Sequence, residues 1–251
     1  MGDAVAGGEA RREELAANLA EVRKRIAAAC AAAGRDAGEV TLVAVTKTFP
    51  ASDVRLLAEL GVTDVAENRD QEARPKAEDC AGLPLRWHFV GQLQTNKARS
   101  VAAYADVVQS VDRVRLVRAL SDAATRAGRT LRCLIQVSLD EPEPGQGGRG
   151  PAAAGARGGA DPADVPALAD AIATADGLEL DGVMAVAPLG GDPSVAFARL
   201  ARIAADLRRE HPGAAVISAG MSGDLEQAVA CGATHVRVGT ALLGGRRAIV
   251  R

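Results

Sequence analysis

Lys47 follows a short apolar run and is the residue of this chain best suited to covalent chemistry. The run over 41–46 is aliphatic and β-branched, and Pro50 comes soon after it, so a buried strand is predicted to end near Lys47. Burial beside an apolar core favours a neutral amine, which can condense with an aldehyde to give a Schiff base. A lysine at a strand end can also extend into solvent, so this segment alone leaves both interpretations open.

Two other turns have residues suited to binding a phosphate. They are Ser-Ala-Gly-Met-Ser-Gly over 218–223 and Arg-Val-Gly-Thr over 237–240, and each follows a predicted strand. Gly220, Gly223 and Gly239 allow a backbone to approach an anion closely, and Ser222 is predicted to cap a helix that begins near Asp224. Turns of this kind are also common as simple strand-to-helix connections.

Alternating strand and helix patterns would position these residues. Strands are predicted over 41–47, 63–66, 87–90, 107–108, 131–137, 182–186, 214–218 and 234–238, with helices between them and a longer amphipathic helix over 15–30 before the first strand. Eight such repeats predict an α/β fold, a single TIM (β/α)8 barrel with an extra N-terminal helix, as one domain over 1–251. An open doubly wound sheet is the alternative, but the first turn lacks that fold's Gly-rich motif.

In a barrel, the residues that follow strands gather on one rim, which would place Lys47 opposite the two turns. Asn68 and the segments over 88–97 and 109–112 follow other strands and would join them there. An amine facing a phosphate site favours an aldehyde-bearing phosphate, either pyridoxal 5'-phosphate (PLP) or the substrate of a sugar-phosphate aldolase. Arg237, between Val236 and Val238, must point into the barrel or be paired, whereas His88 fits a core position and a site position equally well.

Composition argues against several other classes of function. The formal net charge is -2 and aromatic residues make up 2% of the 251 residues, so no nucleic-acid surface is predicted. The four cysteines form no metal-ligand spacing and indicate a reducing compartment, and no signal peptide or spanning run is present, so we expect cytoplasmic location without membrane or metal binding. The segment over 141–162 is rich in Gly and Pro, and we expect a mobile loop there.

Six segments together resemble the motifs of one known family. They are 41–47, 66–68, 87–97 (WHFVGQLQTNK), 110–112, 218–225 (SAGMSGDL) and 236–244 (VRVGTALLG). The chain is similar to the pyridoxal phosphate homeostasis proteins, the YggS/PROSC family, which in turn resemble the barrel domain of alanine racemase. The resemblance implies that Lys47 binds PLP as a Schiff base. It also implies a phosphate site formed by Ser222, Gly239 and Thr240, with Met221 and Asn68 nearby and Arg237 toward the cofactor ring.

The resemblance further implies a role in vitamin B6 homeostasis without established catalysis, a monomeric protein, and PLP-dependent apoenzymes as candidate partners. A racemase-like enzyme is the alternative, and it would need a second acid/base, normally a tyrosine from another domain. The single tyrosine, Tyr104, precedes the fourth strand and is expected at the opposite end of the barrel. The chain departs from the family at Arg69, where a tyrosine is frequent, and over 141–162, which replaces a lysine-glycine pair.

Overall fold

The computed structural model of the chain describes residues 2–140 and 158–245, and its parallel strands close into an eight-stranded barrel. Each strand pairs with the next in sequence, and the last pairs with the first, so the predicted TIM barrel is confirmed. The strands are β1 (Thr41–Val45), β2 (Asp64–Glu67), β3 (Arg86–Phe89), β4 (Val107–Val111), β5 (Leu131–Gln136), β6 (Leu178–Met184), β7 (Val216–Ser218) and β8 (His235–Val238).

Helices surround the barrel and connect its strands. They are α1 (Gly2–Ala32), α2 (Ala51–Glu59), α3 (Asp70–Asp79), α4 (Ala98–Tyr104), α5 (Val114–Ala127), α6 (Val165–Ala173), α7 (Pro193–Glu210), α8 (Leu225–Ala230) and α9 (Thr240–Leu243). Local sequence sets their ends: Asp192 accepts from the Ser194 N–H ahead of Pro193 to begin α7, and Gly128 ends α5 in the left-handed region. Among the described residues, no helix is long and apolar enough to cross a membrane.

The predicted N-terminal helix, α1, covers the side of the barrel beside β8, where α9 is short. Its apolar stripe packs with residues of α8, β8 and α9 in one buried cluster. Arg11 adds an ion pair to Asp53 at 2.6 Å and a hydrogen bond to the Leu243 carbonyl at 3.0 Å. Burial of the stripe therefore completes the outer layer of helices.

Two predicted strand boundaries differ from the structure by three residues or more. β4 extends to Val111, so Gln109 and Ser110 lie within the barrel wall and not on the rim. β6 begins at Leu178, whereas the sequence pattern predicted that the strand begins at Gly182. Gly182 lies inside β6 with φ +148, and a Cβ there would come 2.0 Å from the Val216 carbonyl oxygen, so glycine allows a close approach between strands.

The predicted mobile segment over 141–162 lies outside the described residues as far as position 157. Among the remaining five positions, Ala160 pairs with the chain at the end of β5. The Ala160 N–H donates to the Gln136 carbonyl at 2.8 Å, and the Ser138 N–H donates to the Ala160 carbonyl at 2.9 Å. The side chain of Asp161 then caps the turn Pro162–Asp164 ahead of α6. The last positions of the predicted segment thus include residues that are hydrogen-bonded to the end of β5 or cap the turn ahead of α6.

Candidate functional site

Strand register brings Lys47 and the turn after β8 to the same part of the rim. β1 and β8 are neighbours, with Val43 opposite Arg237. Following that register places Gly239 beside Val45, and a Cβ on Gly239 would lie 3.3 Å from the Val45 carbonyl oxygen. Lys47 comes two residues after Val45, so its backbone and the Gly239–Thr240 turn leave adjacent strands at the carboxyl end of the barrel.

Ser222 joins the turn after β7 to the turn after β8. Its Oγ accepts a hydrogen bond from the Ala241 N–H at 3.2 Å, at the beginning of α9. The prediction that Ser222 caps α8 is wrong, because no side chain caps that helix and the Asp224 carboxylate instead accepts from the Met221 N–H at 2.6 Å. The two turns thus form one polar surface with the hydroxyls of Ser222 and Thr240, which are donors suited to a phosphate.

Lys47 itself is exposed on the rim. Of the two interpretations that the sequence left open, the structure has the exposed one, because Lys47 lies two positions beyond the last residue of β1. Within residues 2–140 and 158–245 no ion pair involves Lys47. Thr48, the next residue, has φ +69, an uncommon backbone conformation for a residue other than glycine that often marks functional sites.

A second lysine near the end of β1 is buried and already paired. Lys76 of α3 forms an ion pair with Glu67 and donates to the Thr46 carbonyl at 2.8 Å. The Thr46 hydroxyl donates to the same Glu67 carboxylate at 2.6 Å. Glu67, the residue before Asn68, thus belongs to a buried cluster and not to the rim. Of the two lysines, only Lys47 is free for a ligand.

Asn68 and Met221 lie on the rim as predicted from their positions after β2 and β7. Asn68 is half-buried, and Met221 is an exposed apolar residue. A Cβ on Gly91 would lie 2.0 Å from the Asn68 carbonyl oxygen, so glycine is required where the turn after β3 crosses the turn after β2. That close contact holds the Asn68 turn against the rest of the rim.

Arg237 points into the barrel, one of the two outcomes that its place between valines allowed. It is 4% exposed, and its guanidinium donates to the Ser218 Oγ at 2.7 Å and to the Ala185 carbonyl at 2.8 Å. Burial lowers the pKa of Arg237 to about 10, opposed only by the charge of Asp224. No ion pair of Arg237 exists in the described part of the chain. Burying a cation without a carboxylate partner costs free energy of folding, and such groups concentrate at binding sites.

The sequence did not predict the chain of hydrogen bonds that leads from Arg237 into the barrel, in which His88 takes a core position and Gln109 lies inside the wall. Gln109, His88 and Asp64 continue the hydrogen bonds from Ser218, and all four are buried. A usable signal existed in β3 (Arg-Trp-His-Phe) and β8 (His-Val-Arg-Val), where polar residues alternate with apolar ones as on the two faces of a barrel strand. No group of three or more metal-binding side chains occurs among the described residues.

A surface groove of about 440 Å³ between α6 and α7 contains none of the predicted site residues. It is lined by residues such as Val165, Ile203 and His211, on the outside of the helical layer. The rim, where the predicted residues converge, therefore remains the candidate site.

Comparison with known proteins gives consistent matches. Residues 11–247 match the family model for the alanine racemase N-terminal domain. A pyridoxal phosphate homeostasis protein of Mycobacterium tuberculosis is 43% identical over 256 residues, covering 94% of this chain and 95% of the relative. A protein of the same name from Pseudomonas aeruginosa is 40% identical, covering 92% and 96%.

Solved structures agree with these relatives. PipY of Synechococcus elongatus, determined with PLP bound, superposes with a TM-score of 0.75 at 33% identity, covering 92% of this chain and all of PipY. An alanine racemase of Clostridium difficile superposes with a TM-score of 0.70 at 13% identity, and 94% of this chain covers 58% of that enzyme. The second likeness concerns the fold alone.

Proposed function

This chain belongs to the pyridoxal phosphate homeostasis protein family, and from that premise we propose that it binds PLP on the barrel rim through Lys47 and takes part in intracellular PLP homeostasis. The observation that carries the proposal is the position of Lys47. It has no ion pair in the described chain, and it leaves β1 beside the Gly239–Thr240 turn of β8.

The residues on the rim fit this cofactor. PLP supplies a dianionic phosphate and an aldehyde, which condenses with a primary amine and releases one water. Lys47 offers the amine, while the ion pair to Glu67 withholds the amine of Lys76. Ser222, Gly239 and Thr240 would hold the phosphate through hydroxyl and backbone N–H donors, with Asn68 and Met221 at its side.

Arg237 would face the cofactor ring from inside the barrel. A permanent cation close to a pyridine nitrogen disfavours protonation of that nitrogen. An unprotonated ring withdraws electrons poorly, so this arrangement suits a protein that holds PLP rather than one that uses it in catalysis.

We further propose that the protein does not catalyse amino-acid racemisation. A racemase-like reaction needs a second acid/base, and the only tyrosine is Tyr104 at the end of α4, toward the amino end of the barrel. Its hydroxyl is buried without a hydrogen-bond partner in the described residues, and burial raises the pKa of Tyr104 further, with the charges of Asp70 and Glu67 adding to the effect. This group is therefore poorly suited to proton transfer on the rim.

The proposal includes a cytoplasmic monomer that exchanges PLP with PLP-dependent apoenzymes. Its support is the family resemblance together with the net charge of -2, which favours neither nucleic acid nor anionic membranes.

The test of the proposed function is chemical labelling. The protein is loaded with PLP, reduced with borohydride and mapped by mass spectrometry of its peptides. We expect the pyridoxyl group on Lys47 and no labelling of a Lys47→Arg variant. A pyridoxyl group found only on Lys76 or Lys97 would contradict the assignment. Incubation of the loaded protein with L-alanine should give no D-alanine at enzyme-like rates, whereas turnover of roughly one per second would contradict the non-catalytic role.

A further inference from the structure

A continuous chain of hydrogen bonds crosses the interior of the barrel and ends on Arg237. Arg237 Nη1 donates to Ser218 Oγ at 2.7 Å, and Ser218 Oγ donates to Gln109 Oε1 at 2.7 Å. Gln109 Nε2 lies 2.8 Å from His88 Nδ1, and His88 Nε2 lies 2.8 Å from Asp64 Oδ1. We call Ser218, Gln109, His88 and Asp64 the interior relay.

The direction of the relay is fixed by its two ends. A guanidinium can only donate, so Ser218 Oγ accepts from Arg237 and its own hydrogen goes to the carbonyl oxygen of Gln109. The Gln109 amide nitrogen then donates to His88 Nδ1, which must carry no proton. His88 therefore bears its hydrogen on Nε2 and donates it to Asp64. One arrangement of hydrogens satisfies every member.

The far end of the relay is an ionised carboxylate. Burial opposes ionisation of Asp64, but hydrogen bonds from His88 and Thr63, together with the nearby charge of Arg86, lower the pKa of Asp64. The Thr63 hydroxyl donates at 2.7 Å and Arg86 Nη1 at 3.1 Å. The relay thus joins a buried cation near the rim to an anion on the opposite side of the barrel interior.

Stability alone does not account for five buried polar side chains in these positions. The interior of such a barrel is ordinarily filled with branched apolar residues, and replacing buried polar networks by apolar residues is often neutral or stabilising. Arg237 also has no carboxylate of its own in the described chain, so Ser218 Oγ and the Ala185 carbonyl are the contacts that hold its guanidinium.

We propose that Ser218, Gln109, His88 and Asp64 are positioning residues, which hold the Arg237 guanidinium in one orientation toward the cofactor ring and thereby set the absorption spectrum of bound PLP. The inference rests on the proposed function, because it needs PLP on the rim. It adds a specific role for four residues that do not themselves touch the cofactor.

Matched serine variants separate positioning from packing. Ser218 and Ser110 are both fully buried in barrel strands, but the Ser110 hydroxyl has no partner among the described residues. Arg237→Glu, which removes the cation itself, serves as the reference variant. We expect Ser218→Ala and Gln109→Leu to shift the absorption maximum of the PLP-loaded protein in the same direction as Arg237→Glu does. Ser110→Ala should leave it unchanged. PLP affinity of the relay variants should change less than about tenfold, because the phosphate contacts remain.

Nitrogen-15 NMR of the imidazole rings tests the relay without PLP. In the free wild-type protein, His88 should carry its proton on Nε2 and accept at Nδ1. Asp64→Asn keeps an amide oxygen that can accept from Nε2, and Arg237 still fixes the direction of the relay, so we expect His88 to keep its proton on Nε2 in this variant. A wild-type His88 protonated on Nδ1 would overturn the relay.

The outcomes of these experiments distinguish the proposed function from the positioning role of the interior relay. If Lys47 is labelled but neither Ser218→Ala nor Gln109→Leu shifts the spectrum, the positioning role is wrong and the proposed function stands. If Lys47 is not labelled, the proposed function is wrong, and the positioning role falls with it whatever the tautomer of His88. If Gln109→Leu fails to fold, the spectrum of Ser218→Ala and the tautomer of His88 decide whether the positioning role is correct.

Discussion

At the amino end of the barrel, charged side chains pair with one another, whereas two cations of the carboxyl end have no such partner in the described chain. Arg86 pairs with Asp64 at 3.1 Å, Arg129 with Asp106 at 2.7 Å and Arg132 with Glu179 at 3.6 Å. On the other side, Lys47 is exposed and unpaired, and Arg237 is buried without a carboxylate. The amino end is internally neutralised, and the carboxyl end keeps positive charge available for an anionic ligand.

Exposed apolar residues follow the same division. The large hydrophobic side chains exposed in the described chain are Val114, Leu189, Val195 and Met221. Each lies in a turn after a strand or in the first turn of the following helix, which is the carboxyl side of the barrel. The side that holds unpaired cations is therefore also the side that keeps apolar surface in contact with water.

Separate substitutions of the two lysines near the end of β1, Lys76 and Lys47, should give the largest effect in this comparison. Lys76→Met leaves the Glu67 carboxylate buried and unpaired, so we expect a loss of roughly 3–5 kcal/mol in the free energy of unfolding. Lys47→Met should cost less than about 1 kcal/mol, because the residue is exposed. Urea unfolding measures both. Equal losses for the two variants would show that Lys47 has structural contacts of its own.

The hydroxyl groups of the rim should dominate PLP affinity. Charge-assisted hydrogen bonds are each worth roughly 1.5–3 kcal/mol, so Ser222→Ala with Thr240→Val should weaken binding about a hundredfold or more. The matched control is Ser121→Ala with Thr174→Val, whose hydroxyls donate to the backbone carbonyls of Asp176 and Asp170 in the outer layer of the barrel. Fluorescence or absorption titration with PLP gives both affinities, and similar losses for the two pairs would contradict a phosphate site at Ser222 and Thr240.

His235, near the amino end of β8, should make the barrel less stable in mild acid. Burial lowers the pKa of His235 to about 4, with the positive charges of Arg86 and Arg237 adding to the effect and Asp64 opposing it. The unfolded chain takes up a proton near pH 6.5, so this stability is full above that pH and is lost as the pH falls toward 4. We expect a loss of about 2 kcal/mol between pH 7 and pH 5.

The variant His235→Gln isolates that contribution. It removes the titrating group, so its free energy of unfolding should fall less between pH 7 and pH 5 than that of the wild type. An unchanged pH dependence would mean that His235 is already protonated in the folded protein or accessible to solvent.

The smallest effect is expected for the segment after β5. β5 lies across the closed barrel from β1, and the rim residues assigned to PLP come from β1, β2, β7 and β8. Replacing 141–157 with a short Gly/Ser linker should therefore change PLP affinity by no more than a few fold. A larger loss would extend the ligand site across the rim to the β5 side.

The sequence predicted those features that follow from local pattern and parallel topology. Alternating strands and helices specify a barrel, and because parallel strands end on one rim, Lys47 could be assigned to the same rim as the Gly239 turn, although opposite that turn and not beside it. Side-chain partners depend on distances between strands that are remote in sequence. The ion pair of Lys76 with Glu67, the bond of Ser222 to Ala241 and the relay from Arg237 to Asp64 all needed that register.

The position of α1 also has a consequence for the order of folding. Its apolar stripe, which includes Leu15, Leu19 and Val22, packs against Val236 of β8 and Leu242 of α9. Arg11 and the Leu243 carbonyl that it binds are 232 positions apart. During synthesis the first helix therefore leaves the ribosome long before the surface that covers it exists. Such distant contacts slow folding and prolong the exposure of apolar surface, so a chain halted before β8 would display this stripe to chaperones or to other unfinished chains.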